Sequence, residues 1–180
     1  MIISKTIPLL VICVFLITGC SPKLSTFSER LYIDGNWSEQ ELKDIQFYTS
    51  DNIVLRRQVS SGQSKIVDGE IKMVNGRKVE EIIIKKGTPG VFVRKTSDKN
   101  LAISFESGKD KFLIFGPNQK IGGRYALKAK DWEKNRGKIP YAGKTFTITV
   151  VGDVPQLQVD LSNQSKTTRK SRVAKGRKVN

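Results

Sequence analysis

The chain has 180 residues, with 32 Lys plus Arg against 17 Asp plus Glu for a formal net charge of +15, two cysteines and no histidine. That length fits one domain plus appendages, and the absence of histidine removes Ser-His-Asp triads, His-ligated zinc and His general bases. Leu, Ile, Val and Phe together supply 53 residues, above the roughly one-fifth of a chain below which high charge implies disorder, so a packed core is within reach.

The first element in chain order is a leader. Lys5 gives a positive start, residues 7–17 (IPLLVICVFLI) an apolar stretch, and the small residues Thr18 and Gly19 stand directly before Cys20, the layout of a signal peptide over residues 1–19. As a membrane span it falls short, because that stretch as a helix, at about 1.5 Å per residue, reaches about 16 Å against a hydrocarbon core of about 30 Å. Ile17-Thr18-Gly19-Cys20 resembles the lipobox of bacterial lipoproteins. The resemblance implies that the Cys20 thiol receives a diacylglyceryl group. It also implies that signal peptidase II reads Ile17, Thr18 and Gly19, cuts before Cys20, and leaves an amino terminus that is acylated in turn. Two acyl chains give stable anchoring where one is marginal, so the first expected partner is a membrane. Ser21, where lipoproteins retained in the inner membrane usually carry Asp, implies sorting to the outer membrane. No acidic cluster follows Cys20, so the domain is expected to face the periplasm.

Residues 20–30 are polar with one proline and read as an extended, lipidated tether. Cys13 leaves with the leader and Cys20 is taken by lipid, so the remaining chain has no thiol for a disulfide and depends on packing.

Residues 31–161 read as one mainly β domain, a small antiparallel barrel or sandwich with one short N-terminal helix. From Cys20 onward Ile and Val number 26 against 9 Leu, a β-branched bias suited to pleated surfaces. Ser38-Glu39-Gln40-Glu41 forms a capping box, with Leu42 and Ile45 as the apolar stripe, predicting a helix that ends near Phe47. Strands are predicted at residues 53–59, 66–67, 70–74, 77–84, 91–94, 101–106, 112–115, 124–130 and 145–151. Asp68-Gly69 and Asn75-Gly76 close two hairpins among them. In the last strand Phe146, Ile148 and Val150 alternate with Thr145, Thr147 and Thr149, so one face is core and the other is wet. The segment 38–57 is also similar to one in small uncharacterised lipoproteins of the Bacteroidota, a resemblance that implies no activity.

Chemistry without histidine or thiol is sparse. Residues 137–145 (GKIPYAGKT) approach a phosphate-binding loop but hold five residues between the glycines where that loop has four, and they run into a strand where it opens a helix. They read as a hairpin with Gly143-Lys144 near its tip. No serine has a lysine three positions on, and no Gly-x-Ser-x-Gly elbow occurs. Glu80 and Glu81, adjacent in a strand, face opposite ways and cannot share a substrate, while Asp131 with Glu133 and Asp51 with Asp68 sit at loop edges. No catalytic residue, metal site or cofactor is expected. Trp37, Tyr48, Trp132 and Tyr141 are the aromatics available to a stacking platform, and Trp132, flanked by charges, is expected to be partly exposed.

Residues 162–180 form a basic tail expected to be disordered when free. Lys166, Arg169, Lys170, Arg172, Lys175, Arg177 and Lys178 stand there without one acid. Export makes nucleic acid a poor partner. The anions of an envelope are lipid head groups, lipopolysaccharide phosphates, peptidoglycan carboxylates and acidic proteins, and any of these suits such an arm. The sequence therefore predicts a lipid-anchored, non-catalytic binding or scaffolding module with a cationic arm. The rival is a small envelope hydrolase working through two carboxylates in one concave pocket.

Overall fold

The computed structural model describes residues 23–59, 70–74, 76–97 and 99–161. The lipobox with Cys20, the strand expected at 66–67, the Asp68-Gly69 turn and the basic tail lie outside them.

Among the described residues, thirteen strands and two short α-helices make a mainly β structure. In chain order they are β1 (Leu24–Thr26), α1 (Glu29–Gly35), α2 (Glu39–Lys43), β2 (Gln46–Thr49), β3 (Ile53–Gln58), β4 (Glu70–Val74) and β5 (Arg77–Ile84). Then come β6 (Pro89–Lys95), β7 (Leu101–Ser104), β8 (Leu113–Asn118), β9 (Arg124–Leu127), β10 (Lys130–Glu133), β11 (Arg136–Tyr141), β12 (Lys144–Thr149) and β13 (Leu157–Asp160). They form two antiparallel sheets, ordered β1-β13-β2-β6-β7-β8-β9 and β10-β11-β12-β3-β5-β4. Neither ladder closes into a barrel, and the arrangement is that of a sandwich. The β9 end of the larger sheet is not a bare edge, because the Tyr125 N–H donates to the Phe27 carbonyl at 2.9 Å and the Leu127 N–H to Pro155 at 2.8 Å. Covering an edge this way blunts its tendency to recruit other strands.

The alternation along β12 is realised. Phe146 and Ile148 are buried and Thr145 and Thr149 exposed, and each fully buried side chain of that size contributes about 1.5–3 kcal/mol. Leu55 beside them and Phe115, Tyr125 and Leu157 of the other sheet complete one continuous core. β4 pairs antiparallel with β5, Val74 opposite Arg77, as a hairpin there requires; Asn75 of the predicted turn lies outside the described residues.

Several expectations shift. The capping box is present, with the Glu41 N–H donating to Ser38 Oγ at 3.2 Å and the Ser38 N–H to Glu41 Oε2 at 2.9 Å. The helix nevertheless stops at Lys43, because Phe47 and Thr49 alternate inward as part of β2. A second helix, α1, precedes it, capped by Ser28 Oγ accepting from the Leu31 N–H at 3.2 Å and closed by Asn36 in the left-handed region. The extended stretch given to the tether is extended but not free from Leu24 onward. β1 pairs with β13, and Phe27 is wholly buried, so the domain begins before residue 31. The strand expected at 124–130 divides into β9 and the start of β10, and β11 runs through the hairpin segment.

Gly137 explains how β10 sits on β11. A Cβ there would lie 2.6 Å from that of Ala129 and 3.1 Å from the Trp132 ring, so only glycine lets the indole lie against the strand. Pro140, lacking an N–H, stands beyond Lys138, the last β11 residue on that side that β10 reaches.

Candidate functional site

The carboxylates divide as their strand positions require. Glu80 and Glu81 lie on β5 opposite Arg57 and Arg56 of β3 and point to opposite faces. On the core face, Arg57 Nη2 meets Glu80 Oε2 at 2.5 Å with the side chains 9% and 0% exposed, and the guanidinium lies 5.8 Å from the Phe146 ring centroid. On the outer face, Glu81 accepts from Arg56 Nε and Lys72 Nζ, each at 2.5 Å. The Lys72 hydrogen bond, aided by Arg56 and opposed by desolvation, holds the Glu81 carboxyl below its ordinary value of 4.5.

That shift has a pH consequence. A depressed folded-state pKa gives stabilisation that is complete above the ordinary value and is lost as pH falls through the lowered one. Lys72→Met is therefore expected to cost roughly 0.5 kcal/mol at neutral pH, discounted because the lysine is solvated, and the gap from the parent chain should close in acid. Urea unfolding at neutral and acid pH checks this; a gap unchanged by acid would refute it.

Tyr141 of β11 is buried and donates its hydroxyl to Glu106 Oε1 at 2.5 Å. Lys111 Nζ stands 3.6 Å from the same oxygen. Burial first, and Glu106 second, push the phenol well above its usual range, so it remains a neutral donor at any physiological pH. Ser104 Oγ lies 2.6 and 2.7 Å from the Glu106 and Lys111 carbonyls, which share its single hydroxyl proton. These bonds pin the β7–β8 connection and do not assemble a nucleophile with a base.

One small depression, of about 90 Å³, is lined by Asp51, Asn52, Thr149, Val151, Asp153 and Pro155 among others. It brings two carboxylates to one place, as the hydrolase reading requires. Both are exposed, and the space is well below the roughly 300–1,000 Å³ of ordinary ligand pockets. Asp131 and Glu133 lie exposed on β10, and Asp131 pairs with Lys138 at 3.4 Å. Among the described residues no group of three or more His, Cys, Asp or Glu is placed to hold a metal.

The aromatics do not form a platform. Trp37 stacks on Phe27 with centroids 5.9 Å apart, Tyr141 packs edge-on to Phe146, and Trp132, 39% exposed, stands alone on β10. What the domain does present is a basic row on the outer face of the smaller sheet. Lys130 stands opposite Lys138, which stands opposite Thr147, which stands opposite Arg56, with Arg136 also exposed on β11. Sequence reasoning missed this row because it needs the register of four strands, two of them unpredicted. Lys72 and Arg56 both spend charge on Glu81, Lys138 pairs with Asp131 and Arg136 stands opposite Glu133, so the row is basic but partly neutralised by its own carboxylates.

Among the described residues no helix is long and apolar enough to cross a membrane. Comparison with protein-family models, curated proteins and solved structures finds no match for this chain.

Proposed function

We propose that this protein is a lipid-anchored lipoprotein of a bacterial cell envelope. Cys20 carries the acyl chains, and the β domain serves as a non-catalytic binding or scaffolding module with a cationic arm. The observation that carries the reading is Ile17-Thr18-Gly19-Cys20 at the end of an apolar stretch too short to span a bilayer. The basic row and the tail suit an anionic envelope partner, and Ser21 after the lipidated residue suits outer-membrane sorting with the domain in the periplasm.

Cys20→Ser tests it. Cells fed labelled palmitate should mark the parent chain and leave the variant unlabelled. Equal labelling of the two chains would refute the anchor. Density fractionation of the parent chain places it in the outer or the inner membrane.

A further inference from the structure

We infer that Trp132, seated on Gly137, is a single-ring stacking site for an uncharged pyranose unit of a glycan. This deepens the reading of the β domain as a binding module and rests on that part of it, not on acylation of Cys20. Of the two tryptophans, Trp37 stacks on Phe27 and packs against the core, whereas Trp132 is 39% exposed on β10, a strand whose four residues are all exposed. Leaving that much indole in water forgoes stabilisation that burial would supply.

The placement of the ring is specific. Lys130 stands opposite Lys138 and Glu133 opposite Arg136, with a register shift between them, so Asp131 and Trp132 together oppose the single residue Gly137. Such a bulge re-aims a side chain. Asp131 makes it with a left-handed φ of 49°, a conformation that aspartate tolerates better than most residues. Gly137 then receives the ring, because a Cβ there would stand 3.1 Å from the indole and 2.6 Å from the Ala129 Cβ. A ring already fixed against backbone loses little further freedom when a ligand settles on it.

The charges beside the ring select the ligand. One acid–base rung lies on either side of it along the strands, Asp131 with Lys138 at 3.4 Å and Glu133 opposite Arg136, and all four residues are exposed. Their formal charges cancel. A polyphosphate or an anionic lipid surface would meet the two carboxylates that flank the indole in the chain, and it gains no net attraction from this set. A pyranose offers a face of C–H groups, which suits the negative face of an aromatic ring. Its rim of hydroxyls both donates and accepts, which suits carboxylates and cations set in pairs. One ring and a few hydrogen bonds without an enclosing pocket give weak binding, with a dissociation constant of about 1 mM.

The test titrates the full chain, in a zwitterionic detergent, with uncharged tetramers of β-1,4-linked glucose and of β-1,4-linked N-acetylglucosamine. In the Trp37→Phe chain Trp132 is the sole tryptophan, and its emission should shift saturably to shorter wavelength at low and high salt alike. By calorimetry, Trp132→Ala should weaken binding at least about tenfold. Gly137→Ala, which keeps the indole but displaces it, should do the same, and Trp132→Tyr should stay within about threefold of the parent chain. Urea unfolding checks the fold of each variant; Trp132→Ala removes an exposed side chain and should unfold close to the parent chain. Absence of a saturable signal with both tetramers overturns the inference, as does binding indifferent to Trp132→Ala. A signal that high salt abolishes, or that inorganic polyphosphate reproduces, overturns it too, by making the site electrostatic. Palmitate labelling reads the anchor separately, so failure of the tetramers refutes the glycan site and leaves acylation untouched.

Discussion

Glu80→Ala should cost about 3–5 kcal/mol, because it leaves Arg57 as a buried charge without its carboxylate. The pair is a direct cross-strand rung of β3 and β5, its N–O distance is 2.5 Å, and the glutamate is wholly shielded from water. Desolvating both ions consumes most of what their attraction returns, so the pair's net worth is small while the worth of either member to the other is large. The double variant Arg57→Met with Glu80→Leu should therefore recover most of the loss. The Phe146 ring near the guanidinium offers an apolar surface for the methionine to pack on. Urea unfolding of the four chains in a double-mutant cycle reads the coupling, and a melting temperature about 10 °C lower is expected for Glu80→Ala. A loss under about 1 kcal/mol would mean that water reaches Arg57 and the burial argument fails.

That pair also shows what the sequence can and cannot say. Alternation along a strand correctly separates Glu80 from Glu81, since a period of two is a property of the backbone. It does not reveal that both are shielded, because burial depends on β3 lying alongside, and pairing across some twenty-five residues leaves no local mark. The legible elements are those whose signal is local: the capping box at Ser38, the pairing of β4 with β5, the β12 alternation and the exposed Trp132. The missed ones have signals that compete. β11 contains Gly137 and Pro140, both strand-weakening on propensity and both tolerated because of where β10 begins and ends. β13 is short, and its inward pair, Leu157 and Val159, is too brief to stand out. Helix α1 carried a readable start at Ser28 and stop at Asn36, but the start lay in the stretch given to the tether. The candidate contact surfaces follow the same division. The tail's charge is plain in composition, whereas its departure beside β1 exists only in the β1–β13 register.

Phe27→Ala should cost about 3–5 kcal/mol, although it sits only seven residues after Cys20 in a stretch that composition marks as linker. Its ring lies 4.8 Å from Tyr125, 5.3 Å from Phe47, 5.9 Å from Trp37 and 6.4 Å from Tyr32, so truncation empties the centre of an aromatic cluster. Edge-to-face pairs add about 0.5–1.5 kcal/mol each beyond area burial, and the surrounding rings, fixed in β2, β9 and α1, can close only part of the void. Lys23→Ala, at an exposed neighbour, should stay within about 0.5 kcal/mol. A Cys20→Ser chain lacking residues 21–30 loses β1 as well as Phe27 and should be less stable still. Urea unfolding ranks the variants, and a shortened chain as stable as the full one would show that β1 and Phe27 are dispensable.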